Sequence, residues 1–189
     1  YVALFNNTTG NYNTATGAGT LSGNTIGEYN TATGSQALSF NTIGSYNTAS
    51  GMNAMMLNST ASRNTAIGNS ALQKQSFNNG GVTWNSDNVA IGAYSLYNNQ
   101  PTSTINGILN TAIGSFALRN NTSGYNNSAN GMNALYSNTT GYNNTALGYN
   151  AFGTGTVFFN STALGANAAM TQSNKVRIGD ATVTVIEGQ

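Results

Sequence analysis

The chain contains no cysteine and no histidine, one proline and one tryptophan, and only 5% of its 189 residues are charged. A typical soluble domain carries about 25% charge. Without Cys and His there are no disulfides, thiol nucleophiles or imidazole bases, and the usual transition-metal ligands are missing. The acids are Glu28, Asp87, Asp180 and Glu187. They are too scattered for a paired acid–base site or a Ca²⁺ cage. We therefore expect no catalytic residue, no metal ligand, no cofactor and no enzymatic activity. A net charge of +1 leaves no electrostatic footprint for nucleic acid. No apolar run approaches the ~18 residues of a membrane span, so no membrane insertion by this segment is expected.

Polarity comes instead from Asn and Thr, with 33 Asn in the chain. Such a composition raises the question of disorder, but disordered chains lack apolar residues and this one is 39% hydrophobic. The apolar residues also recur at fixed places. "NTATGSQAL" at 30–38 returns as "NTAIGNSAL" at 64–72 and "NTAIGSFAL" at 110–118. Its first Ala falls at Ala15, Ala32, Ala49, Ala66, Ala90, Ala112, Ala129, Ala146 and Ala163, a period of 17 with two longer steps. A Gly follows two residues after each, from Gly17 to Gly165. Six residues after the Ala stand Leu21, Leu38, Met55, Leu72, Leu96, Leu118, Leu135 and Phe152, with Ala169 in the ninth unit.

The unit reads N-T-A-x-G-x-x-A-L-x-x-N-T-x-G-x-Y. This period is too short for two-helix repeats or propeller blades. Asn, Thr and Gly favour turns, caps and strands over helix. The fold expected is an all-β parallel solenoid, or β-roll, of about nine coils stacked ~4.8 Å apart into a rod of roughly 43 Å. Alternation over N-T-A-x-G points Ala inward, with the Leu row, and Thr with the following residue outward. That following residue is Thr16, Thr33 and Ser50 early, then Ile67, Ile91, Ile113, Asn130, Leu147 and Leu164. Outward Ile and Leu on a regular rod need a covering surface, and a homotrimer would cover Ile67, Ile91, Ile113, Leu147 and Leu164. In the opposite arrangement these side chains fill the coil and Ala faces out.

Domain organisation follows. Residues 1–173 form the repetitive shaft or head, and 174–189 form a strand-like segment, "NKVRIGDATVTVIEGQ", that breaks the repeat. "YVAL" at 1–4 is the second half of a unit, so the natural protein is expected to extend further towards its N-terminus. Two insertions break the rhythm, with seven extra residues within 73–87 and five within 97–109. They hold Lys74, Trp84, Asp87 and Pro101, and insertions in repeat proteins map to loops that often bind. These four are the candidate receptor contacts. The other reading is a tolerated loop, or a plug packing Trp84 on a neighbouring chain. Tyr12, Tyr29, Tyr46, Tyr125 and Tyr142 recur near the end of the unit, suited either to sugar contact or to stacking. The sequons at Asn58 and Asn138 arise by chance in an Asn/Thr-rich repeat.

The pentapeptides N-V-A-I-G at 88–92, N-T-A-I-G and S-T-A-L-G resemble the head repeat of trimeric autotransporter adhesins. The N-T-A-x-G-x-x-A-L form is closer to the repetitive shafts of bacterial and phage tail fibres. The 174–189 segment is similar to one that precedes a self-cleaving, endosialidase-type intramolecular chaperone in such fibres, which places Gln189 near a processing site or a boundary. The resemblance implies a left-handed roll, a homotrimer and an extracellular, cell-surface or virion-borne location. The function expected is a structural and adhesive fibre for a cell-surface glycan or protein. Two alternatives stay open: an ice-binding solenoid with Thr rows, and the non-catalytic shaft of a polysaccharide-degrading fibre.

Overall fold

In the computed structural model, which describes residues 2–183, the backbone winds into a parallel β-solenoid with no helix among the described residues. Ten three-residue strands form one sheet: β1 (Thr14–Thr16), β2 (Thr31–Thr33), β3 (Thr48–Ser50), β4 (Thr65–Ile67), β5 (Val89–Ile91), β6 (Thr111–Ile113), β7 (Ser128–Asn130), β8 (Thr145–Leu147), β9 (Thr162–Leu164) and β10 (Val176–Ile178). Each pairs with the next in parallel and in register, Ala over Ala from β1 to β9. Nine steps of ~4.8 Å set the end strands about 43 Å apart.

Nine coils were expected, and the tenth strand comes from the segment expected to break the repeat. Val176, Arg177 and Ile178 pair with Thr162, Ala163 and Leu164. The Gly179 N–H then donates to the Leu164 carbonyl at 2.6 Å, as each Gly of the row does to its predecessor coil. The sequence signature is lost because Arg177 replaces the row Ala, while the backbone pattern continues. The expectation for Gln189 lies outside the described residues.

The interior is narrow. Two Ala and one Leu fill each regular coil: in the second, Ala32, Ala37 and Leu38 are all fully buried. The predicted inward Ala and Leu rows are the core, and Thr with the variable residue faces out. Ala15, in the first strand, is only half-buried, since the stack beneath it ends within one coil. In the ninth coil the Leu position moves by one: Ala169 is exposed and Met170 takes the interior place.

Backbone groups outside the strands are also paired along the axis. The Leu118 N–H donates forward to the Ala134 carbonyl at 2.9 Å, while Phe116, two residues earlier, donates backward to Ala93 at 2.9 Å. A left-handed residue at each of these points turns the N–H from one neighbour to the other. The buried Leu row therefore has φ between 48° and 51°. That conformation costs a Leu roughly 1–2 kcal/mol, and full burial of the side chain returns about 2–3 kcal/mol. Burial wins, which is why the row is Leu rather than Gly or Asn.

Two amide ladders run through the coil. In one, Asn30, Asn47, Asn64, Asn88, Asn110, Asn127 and Asn144 each donate a backbone N–H to the preceding Asn Oδ1, at 2.9–3.1 Å. In the other, side-chain amides link Asn7, Asn24, Asn41 and Asn58 at 2.7–2.9 Å, and Asn99, Asn121 and Asn138 at 2.8–2.9 Å. Both ladders donate to the same carbonyls: Gly27 accepts from Asn13 at 2.7 Å and from Asn24 at 2.9 Å. Buried amides are stable only when so satisfied.

Candidate functional site

Three surfaces of the rod carry side chains suited to contact. The first is the outward face of the ten-stranded sheet. Thr14, Thr31 and Thr48 form one row; Thr16, Thr33, Ser50, Ile67, Ile91, Ile113, Asn130, Leu147 and Leu164 form the other. Ile67, Ile113 and Leu147 are 41%, 37% and 51% exposed, with Ile91 and Leu164 half-buried. The row changes from Thr to aliphatic between the third and fourth strands.

The second surface holds the insertions. Their bases are joined: Gln75 Oε1 accepts from Asn88 and Asn99, both at 3.1 Å, and the Gly107 carbonyl accepts from the same two amides at 2.8 Å. Their outer parts expose Val82 and Ile105. Trp84 is not offered to a receptor. It is 6% exposed, sits edge-on to Phe77 at 5.6 Å, pairs with Ala61 in a two-stranded bridge and donates Nε1–H to Thr60 Oγ1 at 3.2 Å. It is a plug, as one reading of the insertion anticipated, but within its own chain. Pro101 is buried against Gly107. Asp87, with φ 49°, occupies a coil corner rather than a loop tip. Lys74 alone of the four reaches a candidate site, described next.

The third surface was not legible as a site in the sequence. Two neighbouring rows bring together Tyr94, Phe116, Asn133 and Asn150 on one side and Tyr97, Arg119, Tyr136 and Gly153 on the other. Tyr94 stacks on Phe116 at 5.6 Å. Lys74 Nζ lies 4.8 Å from the Tyr97 ring, and the Arg119 guanidinium lies 5.6–6.0 Å from Tyr97, Phe116 and Tyr136. Arg119 Nη1 donates to the Tyr136 hydroxyl at 3.2 Å, and its Nε is buried without a partner. Phe116, Arg119, Asn133, Tyr136 and Asn150 line a groove of about 400 Å³. The aromatic rows stop here: Asn133 follows Phe116, and Gly153 follows Tyr136 with no side chain to cover it. The available signal was the residue just after each Leu of the repeat, which is aromatic or Arg at Tyr97, Arg119 and Tyr136.

The tyrosines form stacks, in two registers. Tyr12, Tyr29 and Tyr46 occupy left-handed corners and stack at 4.8–4.9 Å. In the C-terminal half Asn126, Asn143 and Asn160 take that corner, and Tyr125, Tyr142 and Phe159 stack one residue earlier at 4.9–5.2 Å. Ring faces that cover one another are closed to sugars, so these rows are structural.

Among the described residues no helix is long and apolar enough to cross a membrane, and no three potential metal ligands cluster. No protein-family model, curated protein or solved structure matches the chain.

Proposed function

We propose that this chain is the repetitive part of a structural and adhesive fibre, a rod that associates side by side as a homotrimer and presents its flanks to a cell-surface glycan or protein. The observation that carries the reading is the aliphatic row of exposed Ile67, half-buried Ile91, exposed Ile113 and, past Asn130, exposed Leu147 on a regular sheet face. Such a row on a chain with 5% charge is a self-association surface. Three parallel copies repeat every contact and convert weak single contacts into avidity. The tail-fibre likeness of the repeat and of residues 174–189 supports an extracellular or virion-borne setting. Light scattering on the purified rod at micromolar concentration is expected to give three times the chain mass; a stable monomer overturns the trimer.

One observation favours a second reading. Thr14/Thr16, Thr31/Thr33 and Thr48/Ser50 present a regular hydroxyl array on a flat sheet, as an ice-binding face requires. The array ends at Ile67. Thermal hysteresis in the purified protein would favour this reading over the fibre.

A further inference from the structure

The groove between the Tyr94–Asn150 and Tyr97–Gly153 rows has a chemistry of its own. Its floor is aromatic, its walls are amides, and its one charge is positive. Arg119 lines it, close to the Phe116 and Tyr136 rings, and Lys74 lies outside this lining, over the neighbouring Tyr97 ring. The acids among the described residues are engaged or placed elsewhere: Glu28 accepts from Asn11, Asp180 accepts from Thr182, and Asp87 sits at the opposite end of its unit, at a coil corner. Among the described residues Arg119 therefore has no carboxylate partner, and the one hydrogen bond of its side chain goes to the Tyr136 hydroxyl.

We propose that this groove binds a carboxylated saccharide. A guanidinium within 6.0 Å of three ring centroids presents a fork of donors that matches a carboxylate. The face of Tyr136 left bare by Gly153 suits the C–H face of a sugar ring, and the Asn133 and Asn150 amides supply both donors and acceptors for hydroxyls. A volume of about 400 Å³ lies within the ~300–1,000 Å³ of small-ligand sites. Each feature depends on the rows ending where they do. Had the aromatic rows run on to the eighth coil, their faces would be covered as in the Tyr12–Tyr46 stack. The inference deepens the adhesive reading, and rests on it, by naming the ligand class and the place of contact.

The test is titration of the intact rod with trigalacturonate at moderate salt, followed by ligand-observed NMR, with the trimethyl ester as the neutral counterpart. Binding of the acid, at least tenfold weaker for the ester, is expected. Arg119→Gln should weaken binding at least tenfold, whereas Arg63→Gln, the same charge change at an exposed corner, should leave it within twofold. Asn150→Ala, on the groove wall, should weaken it severalfold while circular dichroism shows the rod still folded. Equal binding of acid and ester, equal loss with Arg63→Gln and Arg119→Gln, or no binding of trigalacturonate overturns the proposal. Labelled rod applied to cell surfaces separates the two levels: adhesion without trigalacturonate binding overturns the ligand assignment and leaves the adhesive reading standing, while absence of both overturns both.

Discussion

At the scale of single residues, the repeat is governed by what backbone conformation each position demands. The row of Gly17 to Gly165 has φ between 106° and 134°, which L side chains rarely adopt. Space is equally limiting, because a Cβ on Gly114 would lie 2.6 Å from the backbone carbonyl carbon of Gly131. Gly114→Ala should therefore lose at least ~2–4 kcal/mol in urea unfolding, through strain and a clash that neither coil can relieve. Gly80→Ala is the contrasting case. Its φ is 59°, but nothing lies within 4 Å of the added Cβ, so the loss should stay near the ~1 kcal/mol left-handed cost. At exposed left-handed corners the chain uses Asn in places, as at Asn126, Asn143, Asn160 and Asn174, and Tyr in others, as at Tyr12, Tyr29 and Tyr46. In the buried interior row it uses Leu, with Met55 once and Phe152 once. Leu118→Ala keeps the backbone cost and removes the packing, so about 2–5 kcal/mol should be lost in the same measurement.

At the scale of one coil, the parts legible in the sequence were those that the period exposes directly. The strand, the inward Ala and Leu rows and the outward Thr row follow from alternation and from the recurrence of Ala15 to Ala163. The left-handed Leu row was not legible, since Leu is a poor residue for that conformation and only tertiary burial selects it. The tenth coil was hidden because Arg177 stands in the Ala row. The groove was hidden because its rows join residues from successive units, each unremarkable alone. Trp84 and Pro101 misled as contacts for the opposite reason: rarity drew attention to residues that serve to close the insertions.

The amide ladders give the coil its polar specificity, and they make a prediction with a pH signature. Asn121 donates to Asn99 Oδ1 at 2.9 Å and to the Gly124 carbonyl at 3.0 Å, fully buried. Asn121→Asp sets an ionised acceptor against two acceptors, and the carboxyl responds by holding its proton. Its folded pKa then lies above the unfolded value of about 3.9. Stability of the variant is highest below the unfolded pKa and falls as pH rises from there towards the folded pKa. Unfolding midpoints measured at steps from pH 3 to pH 8 should show the deficit relative to the parent widening across that interval. A deficit that is constant with pH would show that the buried group is not titrating and that the ladder tolerates the charge.

At the scale of the whole molecule, the rod is a one-dimensional stack, so its stability is set coil by coil and interface by interface. The second ladder leaves a buried acceptor unpartnered at two steps, Asn58 and Asn138, and the first of these also borders an insertion. It runs unbroken from Asn7 to Asn58, then fails: Gln75 replaces Asn, its Nε2 turns away to Ser86 at 2.9 Å, and Asn58 Oδ1 is buried with no partner. At the same step Ala61 stands where Gly27 and Gly44 stand in earlier coils. A Cβ on Gly44 would collide with the next coil's backbone and ladder amide, so Ala61 departs from the regular packing, and the insertion's Trp84–Asn85 pairs with Ala61–Ser62 at this corner. Trp84 fills this corner, bonded to Thr60. Each unsatisfied buried acceptor costs about 1–3 kcal/mol, enough in a nearest-neighbour stack to set where the rod opens. Hydrogen exchange should therefore resolve two units. Amides of the first three coils, such as Leu38 and Met55, should exchange together and faster than Leu118 and Leu135 in the sixth and seventh. Trp84→Ala, by emptying the plug at the seam, should speed the first group by at least tenfold and leave the second within a factor of two. Equal acceleration of both groups would mean that the stack behaves as a single cooperative unit and that the broken ladder is not its point of failure.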